Sequence, residues 1–167
     1  MMSDEPVAVL AIDPGLTMGW AKLSPAGFSA GAWRNLGKGL GEQMARLQGF
    51  LELFGGDYQF VYFEEGGFAR QSNSARRVGG AIEGIVHLWV YEQMINLMPV
   101  YPSSVKRFVA GSGKAKKPAV AQVFRDHGLH WRDTKTLDVS DAIGVLCTGL
   151  HQTFGWDLPT VMQALQS

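Results

Sequence analysis

The stretch VLAIDPGLTMGWA, residues 9–21, constrains this chain more than any other. Its continuous apolar start reads as a strand buried on both faces. The run ends on Asp13, and Pro14-Gly15 turns the chain at once. A carboxylate at the end of a buried strand is costly unless a cation or a donor meets it. The sequence therefore predicts a first strand over residues 7–13 that delivers one acid to a sheet edge.

The rest of the chain supplies partners for that strand. Residues 17–24 and 27–33 flank the turn-rich SPAG and complete a three-strand meander. Residues 39–54 carry Leu40, Met44, Leu47 and Leu51 at helical spacing. YQFVYFEE is a short β-rich run that ends in Glu64 and Glu65, and residues 66–73 form a loop. From Ser74 a long helix places Val78, Ile82, Ile85 and Trp89 on one side. LMPVYPSS gives a strand and then a helix start that Ser103 or Ser104 can cap. GSGKAKKP is a loop, and Pro118 suits the first turn of the helix after it. Residues 137–151 are the last main helix, and residues 152–167 read as a C-terminal tail. The order β-β-β-α-β-α-β-α with closing helices is α/β, a mixed five-stranded sheet flanked by helices. A length of 167 residues suits one domain over 1–167.

Composition narrows the setting. Hydrophobic residues make up 46% and charged residues 18%, which is globular rather than disordered. No window approaches the roughly 18 apolar residues of a membrane span, and MMSDEPV has the wrong character for a signal peptide. The one cysteine, Cys147, excludes an intrachain disulfide and a cysteine-rich zinc site. A cytoplasmic protein without a membrane partner is the expectation. Net charge is zero, yet no acid falls between Gln93 and Arg125, where Lys106, Arg107, Lys114, Lys116 and Lys117 lie. Arg70, Arg76 and Arg77 form a second basic group, so a neutral chain can carry a basic face around an acidic hole.

That hole has four or five candidate acids. Asp13 and the Glu64-Glu65 pair end two strands, and neighbouring parallel strands would bring them to one edge. Alternation lets only one of Glu64 and Glu65 share a face with Asp13. Asp138 and Asp141 stand three apart on a helix and can face the same way. Read singly, Asp138 is a helix cap and Glu65 a solvated strand end. Converging, such acids repel one another and raise their own pKa values. Hard divalent cations resolve that conflict, and Mg²⁺ binds through carboxylates together with substrate phosphates. Two such ions about 3.5–4 Å apart serve in-line phosphodiester hydrolysis.

These segments resemble the RuvC-type Holliday junction resolvases of the RNase H-like fold. AIDPGLTMGWA resembles the family's first-strand signature, and VYFEEGGFARQSN its fourth strand and following loop. VYPSSVKRFVAGSGKAKKPAV is similar to its basic segment and DVSDAIGVL to its closing helix. The four lie in the family's order within residues 7–150. The resemblance implies Asp13, Glu64, Asp138 and Asp141 as catalytic and metal-binding acids, with two Mg²⁺ per site and Mn²⁺ as a substitute. It implies DNA contacts from Phe68, Arg70, Arg76, Lys106, Lys114 and Lys117, with Phe68 wedged into the junction centre. GGF departs from the family's loop, as does the segment after His151, so forks and flaps join four-way junctions as expected branched-DNA substrates.

Other readings are weaker. An actin-like ATPase needs a duplicated domain that 167 residues do not supply, and GSGKAKK lacks the full phosphate-loop spacing. A catalytically silent DNA-binding module would not need four acids in place, and an RNA-processing nuclease of this fold would not need the lysine-bearing segment. His87 and His151 read as packing or capping residues, and His127 and His130 are too few and too isolated for a zinc site. Two like cuts in a four-way junction call for a two-fold homodimer. The helix from Ser74 to Asn96, with Ala75, Gly79, Gly80 and Gly84 beside Val78, Ile82 and Ile85, is the expected interface.

Overall fold

In the computed structural model, which describes residues 6–66, 72–132 and 137–167, the first strand lies at the centre of the sheet. The strands β1 (Val9–Asp13), β2 (Thr17–Ser24), β3 (Gly27–Arg34), β4 (Phe60–Glu64) and β5 (Asn96–Val100) take the order β3-β2-β1-β4-β5. β2 pairs antiparallel with β1 and β3, while β4 runs parallel to both β1 and β5. β1 is buried because both faces are covered. Val9 and Ala11 turn to one side and Leu10 and Ile12 to the other, all fully enclosed.

Among the described residues, six helices form the two outer layers. On the Leu10 face lie α1 (Leu40–Glu52) and α2 (Asn73–Glu92), where Leu47, Leu51, Ile82, Val86 and Trp89 bury against Ile12, Val61 and Phe63. On the Val9 face α5 (Asp138–Phe154) crosses the sheet beneath α3 (Pro102–Ala110), α4 (Lys117–Asp126) and α6 (Leu158–Gln166). Every residue from Val139 to Leu150 is buried, so α5 is the central helix of that layer. It lies this close because two glycines leave room. A Cβ at Gly149 would come within 2.3 Å of the Tyr62 ring, and one at Gly144 within 2.7 Å of Val105.

Several local expectations change. α3 begins at Pro102 after Tyr101, with no side-chain cap, so neither Ser103 nor Ser104 caps it; proline pre-sets the first turn instead. Ser72 caps α2 through its hydroxyl, which accepts from the Ala75 N–H at 3.3 Å. The segment after His151 is more than a tail: α5 continues to Phe154, and α6 buries Val161, Met162 and Leu165. Asp157 caps α6, its carboxylate accepting from the Thr160 N–H at 2.9 Å. On α2, Gly79 and Ile82 belong to the core, whereas Gly80 and Gly84 face outward with open space beside them. His87 is also exposed, 3.8 Å from Glu83. Among the described residues, no helix is long and apolar enough to cross a membrane.

Candidate functional site

The carboxyl ends of β1 and β4 meet at one edge because those strands are parallel neighbours, paired through Ile12 and Phe63. Asp13 and Glu64 are the next residues on each. Strand alternation assigns the glutamates. Tyr62 belongs to the α5-side core, so Glu64, two residues on, shares that face with Asp13. Phe63 belongs to the opposite core, and Glu65 follows it there, lining a 340 Å³ cleft with Phe63, Glu83, His87, Leu97 and Pro99. The two neighbouring acids therefore serve different surfaces.

The second pair of acids arrives on α5. Asp138 and Asp141 occupy its first turn, a favourable place for negative charge. What brings that turn to the strands is the second glycine of the opening motif. Gly19 pairs with Asp13 across β1 and β2. A Cβ there would lie 2.0 Å from the Asp138 carbonyl oxygen. Only a residue without a side chain lets the helix end rest on β2 opposite Asp13. Asp138 is not the cap expected of it alone, since Leu137 occupies the cap position and makes no side-chain cap bond.

Electrostatics binds the four acids into one site. Burial pushes the Asp13 carboxyl well above the usual range, and the charges of Glu64, Asp141 and Asp138 push the same way. Glu64 and Asp141 are also raised, first by burial, against the opposing pull of Lys117 and Lys106. Lys117, at the start of α4, donates from Nζ to Asp141 Oδ2. Burial works against its charge, yet the bond to Asp141 and the fields of Asp141, Asp13 and Glu64 keep its pKa above the ordinary lysine value. Two ammonium groups, Lys117 and Lys106, against four carboxylates leave a deficit of positive charge.

The donors fit a hard cation. They are all carboxylate oxygens, and a bound divalent ion would offset the burial and the mutual repulsion that raise three of them. Among the described residues, no group of three or more His, Cys, Asp or Glu side chains is gathered closely enough to hold a metal ion by itself. An ion held here would take waters and a substrate phosphate among its ligands.

The expected DNA-contacting residues divide. Lys106 is half-buried on α3 and acts electrostatically on both Glu64 and Asp141. Lys114 is exposed between α3 and α4. Arg76 is exposed in the first turn of α2, its guanidinium donating to Asn73 Oδ1 at 2.6 Å. Phe68 and Arg70 lie outside the described residues. The sequence reading missed that Lys117 pairs directly with an acid of the set. It also gave Gly19 no partner, although the recurrence of glycine after the turn was the available signal.

A mixed sheet ordered β3-β2-β1-β4-β5, with acids at the edge where β1 and β4 end, defines the RNase H-like class. Within that class the chain belongs to the family described as crossover junction endodeoxyribonuclease RuvC, whose sequence model matches residues 9–149. Its activity, by that membership, is endonucleolytic cleavage of crossover junctions in DNA. Nucleases of this family need divalent metal ions. Two solved structures of the Thermus thermophilus RuvC protein are similar at 24% identity over 89% of this chain. One, of the protein, has a TM-score of 0.69 and is covered over 97% of its length. The other, in complex with a Holliday junction substrate, has 0.74 and 96%. At that identity the likeness carries the fold. No curated protein is matched by sequence.

Proposed function

We propose that Asp13, Glu64, Asp138 and Asp141 are the catalytic and metal-binding set of a Holliday junction resolvase. In this reading the set works with two Mg²⁺ ions, or Mn²⁺ in their place, in the cytoplasm, as one domain over 1–167. The observation that carries it is four carboxylates from β1, β4 and α5 sharing one field around Lys117. Divalent ions in such a site activate water and neutralise the leaving oxygen in phosphodiester hydrolysis. The chain's own residues hold those ions and orient the strand. Asp13, the buried acid of the set, would hold the ions together with Glu64, Asp138 and Asp141. Lys117 balances the acids before substrate arrives and then meets the scissile phosphate, while Lys106 and Lys114 neutralise phosphates beyond it. In this reading Arg76, Arg70 and Phe68 contact the DNA, and the wedge at the junction centre is the role assigned to Phe68. Forks and flaps are further substrates.

The acting species in this reading is a homodimer. Gly80, Gly84, Leu88 and Tyr91 form one outward stripe on α2, with Leu88 47% and Tyr91 80% exposed. The two glycines let a second helix approach, and the two large side chains gain burial.

Cleavage of a synthetic four-way junction, measured beside linear duplex and an RNA hairpin, tests the reading. The wild type should cut the junction with Mg²⁺ and stop in EDTA. Asp13→Asn and Glu64→Gln should abolish cutting yet still bind the junction, and Glu65→Gln should cut. Full activity in Asp13→Asn, or loss confined to Glu65→Gln, overturns the assignment.

A further inference from the structure

We infer that the loop joining β3 to α1 is a second DNA-holding element, which receives the junction arm leaving the site on the side away from α3 and α4. The inference rests on the proposed function, because its occupant is that same substrate. β3 runs parallel to β1, so its carboxyl end at Arg34 opens at the same edge as Asp13, about 10 Å away across two strand spacings.

The loop is built rigidly. Asn35 is only 8% exposed, and its N–H and both polar ends of its side chain brace the loop. Its N–H donates to the Leu16 carbonyl at 2.6 Å. Its Nδ2 donates to the Gln43 carbonyl at 2.7 Å, and its Oδ1 accepts from the Gly37 N–H at 3.1 Å. Gln43 returns a bond from Nε2 to the Gly37 carbonyl at 3.2 Å. A Cβ at Gly37 would lie 2.8 Å from the Gln43 nitrogen, so the loop is pressed onto the first turn of α1.

A loop fixed this tightly has no need to present a large apolar side chain to water, yet Leu36 is 65% exposed. Arg34 and Lys38 stand exposed on either side of it. The nearest acid, Glu42, is occupied by the Lys38 N–H and by Arg46. Two cations around one apolar group, held at the edge where the acids emerge, match two phosphates around a sugar or an unstacked base. A preformed loop loses little freedom on binding. Together with Lys106 and Lys114, it grips the substrate on both sides of the carboxylates.

The test uses the full chain carrying Asp13→Asn, with junction binding measured across a salt series and by hydroxyl-radical footprinting. Each neutralised phosphate contributes about 0.9 to the log–log salt slope. Arg34→Ala with Lys38→Ala should flatten the slope by about 1–2 and remove protection from one arm only. Leu36→Ala should weaken binding several-fold at an unchanged slope, because an apolar contact releases no counterions. These residues are exposed, so unchanged melting temperatures will accompany both effects. An unaltered slope and footprint in the double variant overturns this inference alone, provided Lys106→Ala flattens the slope and the wild type cuts. A wild type that neither binds nor cuts the junction overturns the proposed function and this inference together.

Discussion

Gly19 links the opening motif to the four clustered acids more directly than any charged residue. Its missing Cβ lets the Asp138 carbonyl rest on β2 opposite Asp13. Gly19→Ala should therefore push the start of α5 away from the strands. Overpacking of this kind costs about 1–3 kcal/mol, and a misplacement near 1 Å at reacting groups costs about 100-fold in rate. Cleavage assays and thermal melts of the variant should record a large loss of turnover with a modest loss of stability. Equal turnover at reduced stability would contradict the role. Asp13 has a stability consequence of its own. With Asp13, Glu64 and Asp141 all raised, the metal-free fold binds more protons than the unfolded chain above the ordinary carboxylate pKa of about 4. The contribution of these three acids to stability is then greatest at low pH and falls as pH rises through the window between the ordinary and the raised values. Metal-free Asp13→Asn should melt above the wild type at pH 7–8, by about 2–4 °C for each kcal/mol. The gap should close near pH 4 and narrow when Mg²⁺ is added. A variant that melts below the wild type throughout would refute this account.

At the scale of elements, the sequence was most readable where one period ruled. The apolar runs of β1 and β4 and the helical spacing on α1 and α2 placed those elements within a few residues of their observed bounds. The acids were legible because each ends a strand or opens a helix, and strand alternation resolves Glu64 from Glu65 once the two cores are seen. The start of α3 was misread because proline and tertiary packing replaced the serine cap. The end of the chain was misread as a tail, although Pro159 sits in the first turn of α6, where proline is tolerated. Contacts between distant elements were beyond any local signal, and the Lys117–Asp141 pair is the clearest example. That pair sharpens what the α3–α4 segment should do. Lys106→Ala and Lys117→Ala should both lower junction affinity and flatten the salt slope, by about 0.9 for each phosphate left without its lysine. Lys117→Ala should also reduce turnover at saturating DNA, since its ammonium belongs to the acid set. Slopes unchanged in both variants would return these lysines to an ordinary solvated surface.

For the whole molecule, symmetry is the controlling consideration. A four-way junction offers two equivalent strands, while one chain carries one acid set, so paired cuts require two copies about a two-fold axis. α2 follows β4 from the site edge, so its N-terminus lies at the edge that faces DNA. Two sites that face one junction then require both α2 N-termini to point toward it, with the axis running roughly along the helices. The outward stripe Gly80, Gly84, Leu88 and Tyr91 is placed for that contact, and Met94, 91% exposed, lies just beyond its end. The helix face named from sequence divides between core and surface for a physical reason. Gly79 and Ile82 serve the core beneath α2, and only the residues a third of a turn away remain for a partner. Sedimentation of the wild type at micromolar concentration should give about twice the chain mass. Gly84→Glu places two like charges together on the axis and should give the chain mass, with the fold intact because nothing packs within 4 Å of that position. The variant should nick one strand of the junction at a time where the wild type makes paired cuts. A wild type that stays monomeric with and without junction DNA, or a Gly84→Glu that still sediments as a dimer, would move the interface off α2.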